Sequence, residues 1–170
     1  MSSKVRSLPG TEITHEDLKS NRYSFYEYQA KLKYSYTSGV AITRFLEGLK
    51  QGEIWGRRCV KCGRVVVPPR MYCEFCFRPN DEWVRVKDTG RINTYSICWV
   101  NADASRRNTP ITIAVVDLDG ASPLMGILHY VDEIAPKKVK IGMRVKAVWK
   151  PPEERTGSIL DIKYFRPLKE

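Results

Sequence analysis

The chain has 170 residues, 42% of them hydrophobic, and a formal net charge of +10. That length buries one proper core plus a smaller module, and the hydrophobic share is that of an ordinary folded protein. No segment approaches the ~20 apolar residues of a membrane span. Met1 to Arg6 leads into Pro9-Gly10 with no apolar stretch behind it, so a cytoplasmic protein without membrane contact is expected.

In chain order, Thr14 and Asp17 form a capping-box pattern, and Leu18, Phe25, Tyr28, Leu32 and Tyr36 follow at helical spacing. They predict one amphipathic helix of several turns. Thr37-Ser38-Gly39 breaks it, and Ile42, Phe45, Leu46 and Leu49 form a second helical stripe that stops at Gln51-Gly52. Residues 1–53 therefore read as a helical hairpin. It carries Tyr23, Tyr26, Tyr28, Tyr34 and Tyr36, more aromatic surface than two short helices bury between themselves. The surplus either docks on a partner or packs on the chain's own later domains.

Residues 54–88 hold Cys59, Cys62, Cys73 and Cys76, two Cys-x-x-Cys pairs. Two cysteines three apart on a tight turn aim both sulfurs at one point, and a second pair completes a tetrahedral thiolate cage. Four sulfurs fill every position on the metal, leaving none for an activated water, so the site is structural. Zinc is expected, with iron as the alternative; a disulfide or four unrelated buried thiols compete with both. Gly63 suits the turn after the first pair, whereas Phe77 stands at that place after the second. Between Arg57 and Arg70 lie Arg57, Arg58, Lys61, Arg64 and Arg70, five cations with no carboxylate among them. A ligand bearing phosphates would be drawn there. A solvated surface that offsets the anionic cage accounts for them equally well.

From residue 89 to 170 the pattern is purely β. Glu82 to Val86 is a short strand, and five more run roughly over Arg91 to Val100, Ile111 to Leu118, Leu124 to Tyr130, Met143 to Lys150 and Ser158 to Phe165. Met143, Val145, Ala147 and Trp149 share one face of the fourth. Five strands with a longer connection between the third and fourth is the layout of an OB barrel. The fold class expected is α+β, mainly β. Cys98 reads as a small buried apolar residue. For an enzyme there are only His15 and His129, and Ser122 begins like a nucleophile elbow but lacks the second glycine. Single-stranded nucleic acid fits an OB barrel, yet the second and third strands lack stacking aromatics before His129-Tyr130, and Arg106-Arg107 is the main support for it.

Phe45-Leu46-Glu47-Gly48-Leu49 running into Gly56-Arg57-Arg58-Cys59, Cys62-Gly63, Pro68-Pro69-Arg70 before Cys73 and Cys76, and Lys140-Ile141-Gly142-Met143-Arg144-Val145 together resemble a known family. Its members have an N-terminal helical hairpin, a rubredoxin-like zinc ribbon and a C-terminal five-stranded OB-fold, and were long catalogued as a domain of unknown function. The resemblance implies a non-catalytic accessory protein of acyl-CoA metabolism, partnered by a thiolase or hydroxymethylglutaryl-CoA synthase type enzyme through the N-terminal helices. Phe77 departs from the small or glycine residue usual in the family. On this reading Arg57, Arg58, Arg64 and Arg70 would meet the phosphates of the ligand. Trp55, Tyr72, Phe75 and Trp99 would supply flat or apolar surface, or else are simple packing.

Overall fold

Residues 14–20 and 30–168 are described in the structure, a computed structural model. The chain divides into two units, residues 1–36 and 37–170.

In the first unit, helix α1 (His15–Lys19) starts as expected: the Thr14 side chain accepts from the Asp17 N–H, and the Asp17 carboxylate accepts from the Thr14 N–H. It stops after five residues, and none of them is buried. Phe25 and Tyr28 lie outside the described residues. Residues 30–38 form neither helix nor strand, so the long first helix expected through Tyr36 is corrected. The stretch buries no apolar face among the described residues: Leu32, Tyr34 and Tyr36 are exposed. Short isolated helices are marginal in water and draw most of their stability from packing an apolar face.

In the second unit, helix α2 (Gly39–Gln51) buries Ala41, Phe45, Gly48 and Leu49 on one face and ends at Gly52, whose φ of 80° supplies the left-handed cap. Gly48 is required by its neighbour, because a Cβ there would stand 2.4 Å from Trp55 Cδ1. The chain then enters a three-stranded antiparallel sheet, ordered β2 (Val65–Val66), β1 (Ile54–Arg58), β5 (Glu82–Val86). Strands β3 (Tyr72–Cys73) and β4 (Arg78–Pro79) form a separate two-stranded ribbon.

Strands β6 (Thr89–Val100), β7 (Arg106–Leu118), β8 (Gly126–Val131), β9 (Arg144–Trp149) and β10 (Ile162–Pro167) close into a barrel of order β10-β8-β7-β6-β9. β10 runs parallel to β8 and antiparallel to β9, as an OB barrel requires. Val145 and Ala147 point inward, with Met143 and Trp149 packed against the core. Two expected strands differ in extent. β7 begins at Arg106, placing Arg106 and Arg107 in the strand, and Ile159–Asp161 is a 3-10 turn that precedes β10. Asp161 explains that turn. Burial opposes its ionisation, but the N–H groups of Thr156, Gly157 and Ser158 all donate to its carboxylate and hold it below the ordinary carboxylate range.

One core serves helix, ribbon and barrel. Phe45, Leu49, Ile54, Val65 and Val67 belong to the same buried cluster as Ile92, Val116, Val145 and Phe165. Among the described residues no helix is long and apolar enough to cross a membrane.

Candidate metal centre and cationic ribbon

The two Cys-x-x-Cys pairs sit on matching turns. After the first, the Gly63 N–H donates to the Cys59 carbonyl at 2.8 Å; after the second, the Phe77 N–H donates to the Cys73 carbonyl at 2.9 Å. Both residues take left-handed backbone, φ 72° at Gly63 and 51° at Phe77. Phe77 therefore completes the same turn without the glycine, although left-handed backbone costs a residue with a Cβ roughly 1–2 kcal/mol.

These turns bring the four sulfurs of Cys59, Cys62, Cys73 and Cys76 within 4.8 Å of one another, with Cys62 and Cys73 Sγ 3.6 Å apart. Four sulfurs placed tetrahedrally at 2.3 Å from a zinc ion are about 3.8 Å apart, so the donor set fits the metal. All five cysteines are free thiols. The thiols are electrostatically unequal. The Cys62 N–H, against the opposing effect of burial and with help from further hydrogen bonds, holds Cys59 down at about 7, whereas burial pushes Cys76 up to about 12. Four clustered thiols ionise together only around a cation. Cys98, expected to be buried, is partly exposed on β6, with its Sγ 3.7 Å from Ser96 Oγ.

The cations of the ribbon do not form one free patch. Arg57 is only 8% exposed. Its guanidinium lies over the Trp83 ring at 4.8 Å, donates to Met71 Sδ at 2.8 Å and also donates to the Asn80 carbonyl. Arg58 lies 3.5 Å from Glu82, Arg64 lies 3.2 Å from Glu74, and Arg70 lies 4.0 Å from the same Glu74. Carboxylates missing from the Arg57 to Arg70 run thus arrive from the next segment. Trp55 is half-buried; its Nε1 donates to Glu53 at 3.0 Å, and Arg44 lies 4.7 Å from both its ring and that of Trp83. Tyr72 and Phe75 are exposed, with Arg64 over the Phe75 ring at 4.1 Å. The exposed members Arg58, Arg70 and Tyr72, with the partly covered Arg64, share the ribbon surface, while Arg57 is interior.

The residues weighed for catalysis are engaged elsewhere. Ser122 Oγ accepts from the Val65 N–H at 2.9 Å. His129 is buried, its Nδ1 accepts from the Tyr130 N–H at 2.9 Å, and its Nε2 bonds the Ile159 carbonyl at 3.1 Å. The imidazole is therefore neutral with the proton on Nε2, and burial lowers its pKa from the ordinary 6.5. One feature went unread in the sequence: a barrel groove of about 390 Å³ lined by Arg107, Ile111, Tyr130, Ile134, Lys163 and Tyr164. Its residues come from three strands and a loop, which no single stretch of the sequence contains.

Residues 46–82 match the family described as the ChsH2 rubredoxin-like zinc ribbon domain, and residues 83–150 the ChsH2 C-terminal OB-fold domain. A DUF35 domain-containing scaffold protein of Methanocaldococcus jannaschii is 29% identical, the match covering 67% of this chain and 81% of that protein. One of the same description from Methanothermobacter thermautotrophicus is 27% identical, covering 66% and 84%. A DUF35 protein of unknown function from Sulfolobus solfataricus, solved by crystallography, is 33% identical with a TM-score of 0.53, covering 62% of this chain and 75% of that one. A chain of the Ltp2-ChsH2(DUF35) aldolase, 22% identical, shares the fold at a TM-score of 0.56, covering 79% of this chain and 98% of that one. With a zinc ribbon leading into an OB barrel over one common core, this chain belongs to the DUF35 family.

Proposed function

We propose that this protein is a non-catalytic scaffold of the cytoplasm that binds acyl-CoA and acts with a thiolase-superfamily enzyme. Cys59, Cys62, Cys73 and Cys76 hold a structural zinc, which fixes the two turns of the ribbon and supplies no reactive position. The observation that carries the reading is the rigid joining of ribbon to barrel through one core, in a family whose relatives are described as scaffold proteins. His129, with both ring nitrogens tied to backbone, supports a role without acid-base chemistry. The exposed cations Arg58 and Arg70, with Arg64 and Tyr72, meet the phosphates and the adenine. Arg57 braces that surface from inside. The exposed residues Leu32, Tyr34 and Tyr36 of the N-terminal segment contact the enzyme.

A second reading, single-stranded nucleic acid, is favoured by the barrel groove, where Arg107 and Lys163 stand beside Tyr130 and Tyr164. Titration of acetyl-CoA and of a short oligothymidylate at one ionic strength separates the two. Acetyl-CoA is expected to bind more tightly, and R58A/R70A to weaken it by about 1.5–3 kcal/mol for each charge-assisted contact. Tighter oligonucleotide binding that is lost in R107A/Y130A would transfer the case to nucleic acid. Deleting residues 1–36 should abolish co-purification of the enzyme while the fold survives, since among the described residues the buried core begins at Ala41.

A further inference from the structure

The geometry points to a further binding site in the groove between α2 and the ribbon sheet, a receptor for a small organic acid of one negative charge, with Arg44 taking its carboxylate. The site goes beyond the acyl-CoA reading, since Arg58, Arg64, Arg70 and Tyr72 do not line this groove.

Antiparallel pairing of β1 with β5 sets Arg57 opposite Trp83 and Trp55 opposite Arg85, so both tryptophans lie on one face of the sheet. Helix α2 packs on β1, and its Arg44 guanidinium lies over each ring at 4.7 Å. Neither ring is loose. Trp55 stands against Gly48, where a Cβ would come within 2.4 Å of it, and donates to Glu53, while the buried Arg57 lies over Trp83. Two fixed rings therefore restrain one guanidinium, which loses little freedom when it binds.

The N–H edge of that guanidinium is unused. Among the described residues every arginine except Arg44 and Arg106 bonds a carboxylate, a carbonyl or another side chain. Arg106 is an exposed residue at the start of β7, whereas Arg44 is a fork held in place with nothing to grip. The two ring contacts tie α2 to the sheet, and lysine would make them too. Only guanidinium adds parallel N–H groups that meet both oxygens of a planar carboxylate.

The groove decides the rest of the ligand. With a volume of about 450 Å³, it runs along α2 from Val40 past Thr43 and Glu47 to Gln51, with Trp55 beside it. Exposed Val40 and the indole offer cover for a short apolar body. Glu47 follows Arg44 by one helical turn without pairing to it, so the charges of the groove sum to zero. Surplus charge is not what attracts the ligand. The fork recognises by geometry, and Glu47 repels anions of higher charge such as phosphate.

The test titrates the full-length protein, at one ionic strength, with benzoate, butyrate, inorganic phosphate and a short peptide with a free C-terminus. Calorimetry gives the affinities, and the indole N–H resonances of Trp55 and Trp83 give the place. Both acids should bind with a Kd on the order of 1 mM and shift the two resonances, with phosphate about 10-fold weaker or more. R44K, which keeps a cation over the rings, should hold the denaturation midpoint and lose about 10-fold or more in affinity. E47Q should narrow the preference over phosphate. Wild-type affinity in R44K would overturn the inference, as would phosphate binding as tight as benzoate, or no saturable binding of either acid. A peptide bound more tightly than both acids would give the fork to a protein partner and overturn the assignment to a small acid.

Discussion

Val65 and Ser122, 57 residues apart, bond each other twice: the Val65 N–H donates to Ser122 Oγ at 2.9 Å, and the Ser122 N–H donates to the Val65 carbonyl at 3.0 Å. One partner lies in the ribbon sheet and the other in the turn before β8. Ser122, which the sequence offers as a nucleophile, is instead a clamp between the two modules.

Replacing Ser122 by alanine should therefore destabilise the protein without touching ligand binding. Val65 is buried, so its N–H would lose its acceptor, a loss of about 1–3 kcal/mol. Urea denaturation measures it, and an unchanged midpoint would show that the clamp contributes nothing.

Metal analysis should find one zinc per chain. Cys59→Ser should lose it, and the effect should not stay within the ribbon. Ile54, Val65 and Val67 belong to the same core as Phe165, so loosening the ribbon exposes barrel residues too. Structural zinc is worth on the order of 10 kcal/mol in isolated peptides. A single, much lowered thermal transition is expected in place of two separate ones.

Arg57 and Arg58 are neighbours in sequence with opposite roles. R57A strips a buried guanidinium from Trp83 and from the Asn80 carbonyl and should cost about 1–3 kcal/mol of stability. R58A removes a half-exposed pair with Glu82 and should change stability by less than about 0.5 kcal/mol. Denaturation midpoints of the two variants, compared with acetyl-CoA affinity, separate bracing from binding.

Acid should weaken the fold in two stages. Arg144 donates twice to Asp119, at 2.7 Å each, and with Thr89 holds the carboxyl down at about 2 against an ordinary 3.8. A depressed carboxylate stabilises the fold above its unfolded value, and that stability is lost as the pH falls from about 4 toward 2. The share is about 1–2 kcal/mol after allowance for partial exposure. His129 acts earlier: buried and neutral, it binds its proton less readily than in the unfolded chain, so stability declines as the pH drops below 6.5. D119N should flatten the lower limb of the stability profile and leave the upper one unchanged.

What the sequence determined by itself was local. Cysteine spacing specifies the two turns because three residues are enough to aim two sulfurs. Alternation in β9 and the stripe of α2 follow from periods of two and 3.6 residues that any neighbouring core would read. The tertiary structure alone decided how distant segments meet. Glu74 and Glu82 reach the cations of the Arg57 to Arg70 run only once the chain has turned back, and the same return buries Arg57 against Trp83. The groove beside Tyr130 and the bond from Val65 to Ser122 likewise join residues that no short window contains. The first helix failed for the complementary reason: its period was present in the sequence, but Leu32 and Tyr36 are exposed, and a helical period without a buried face is marginal in water.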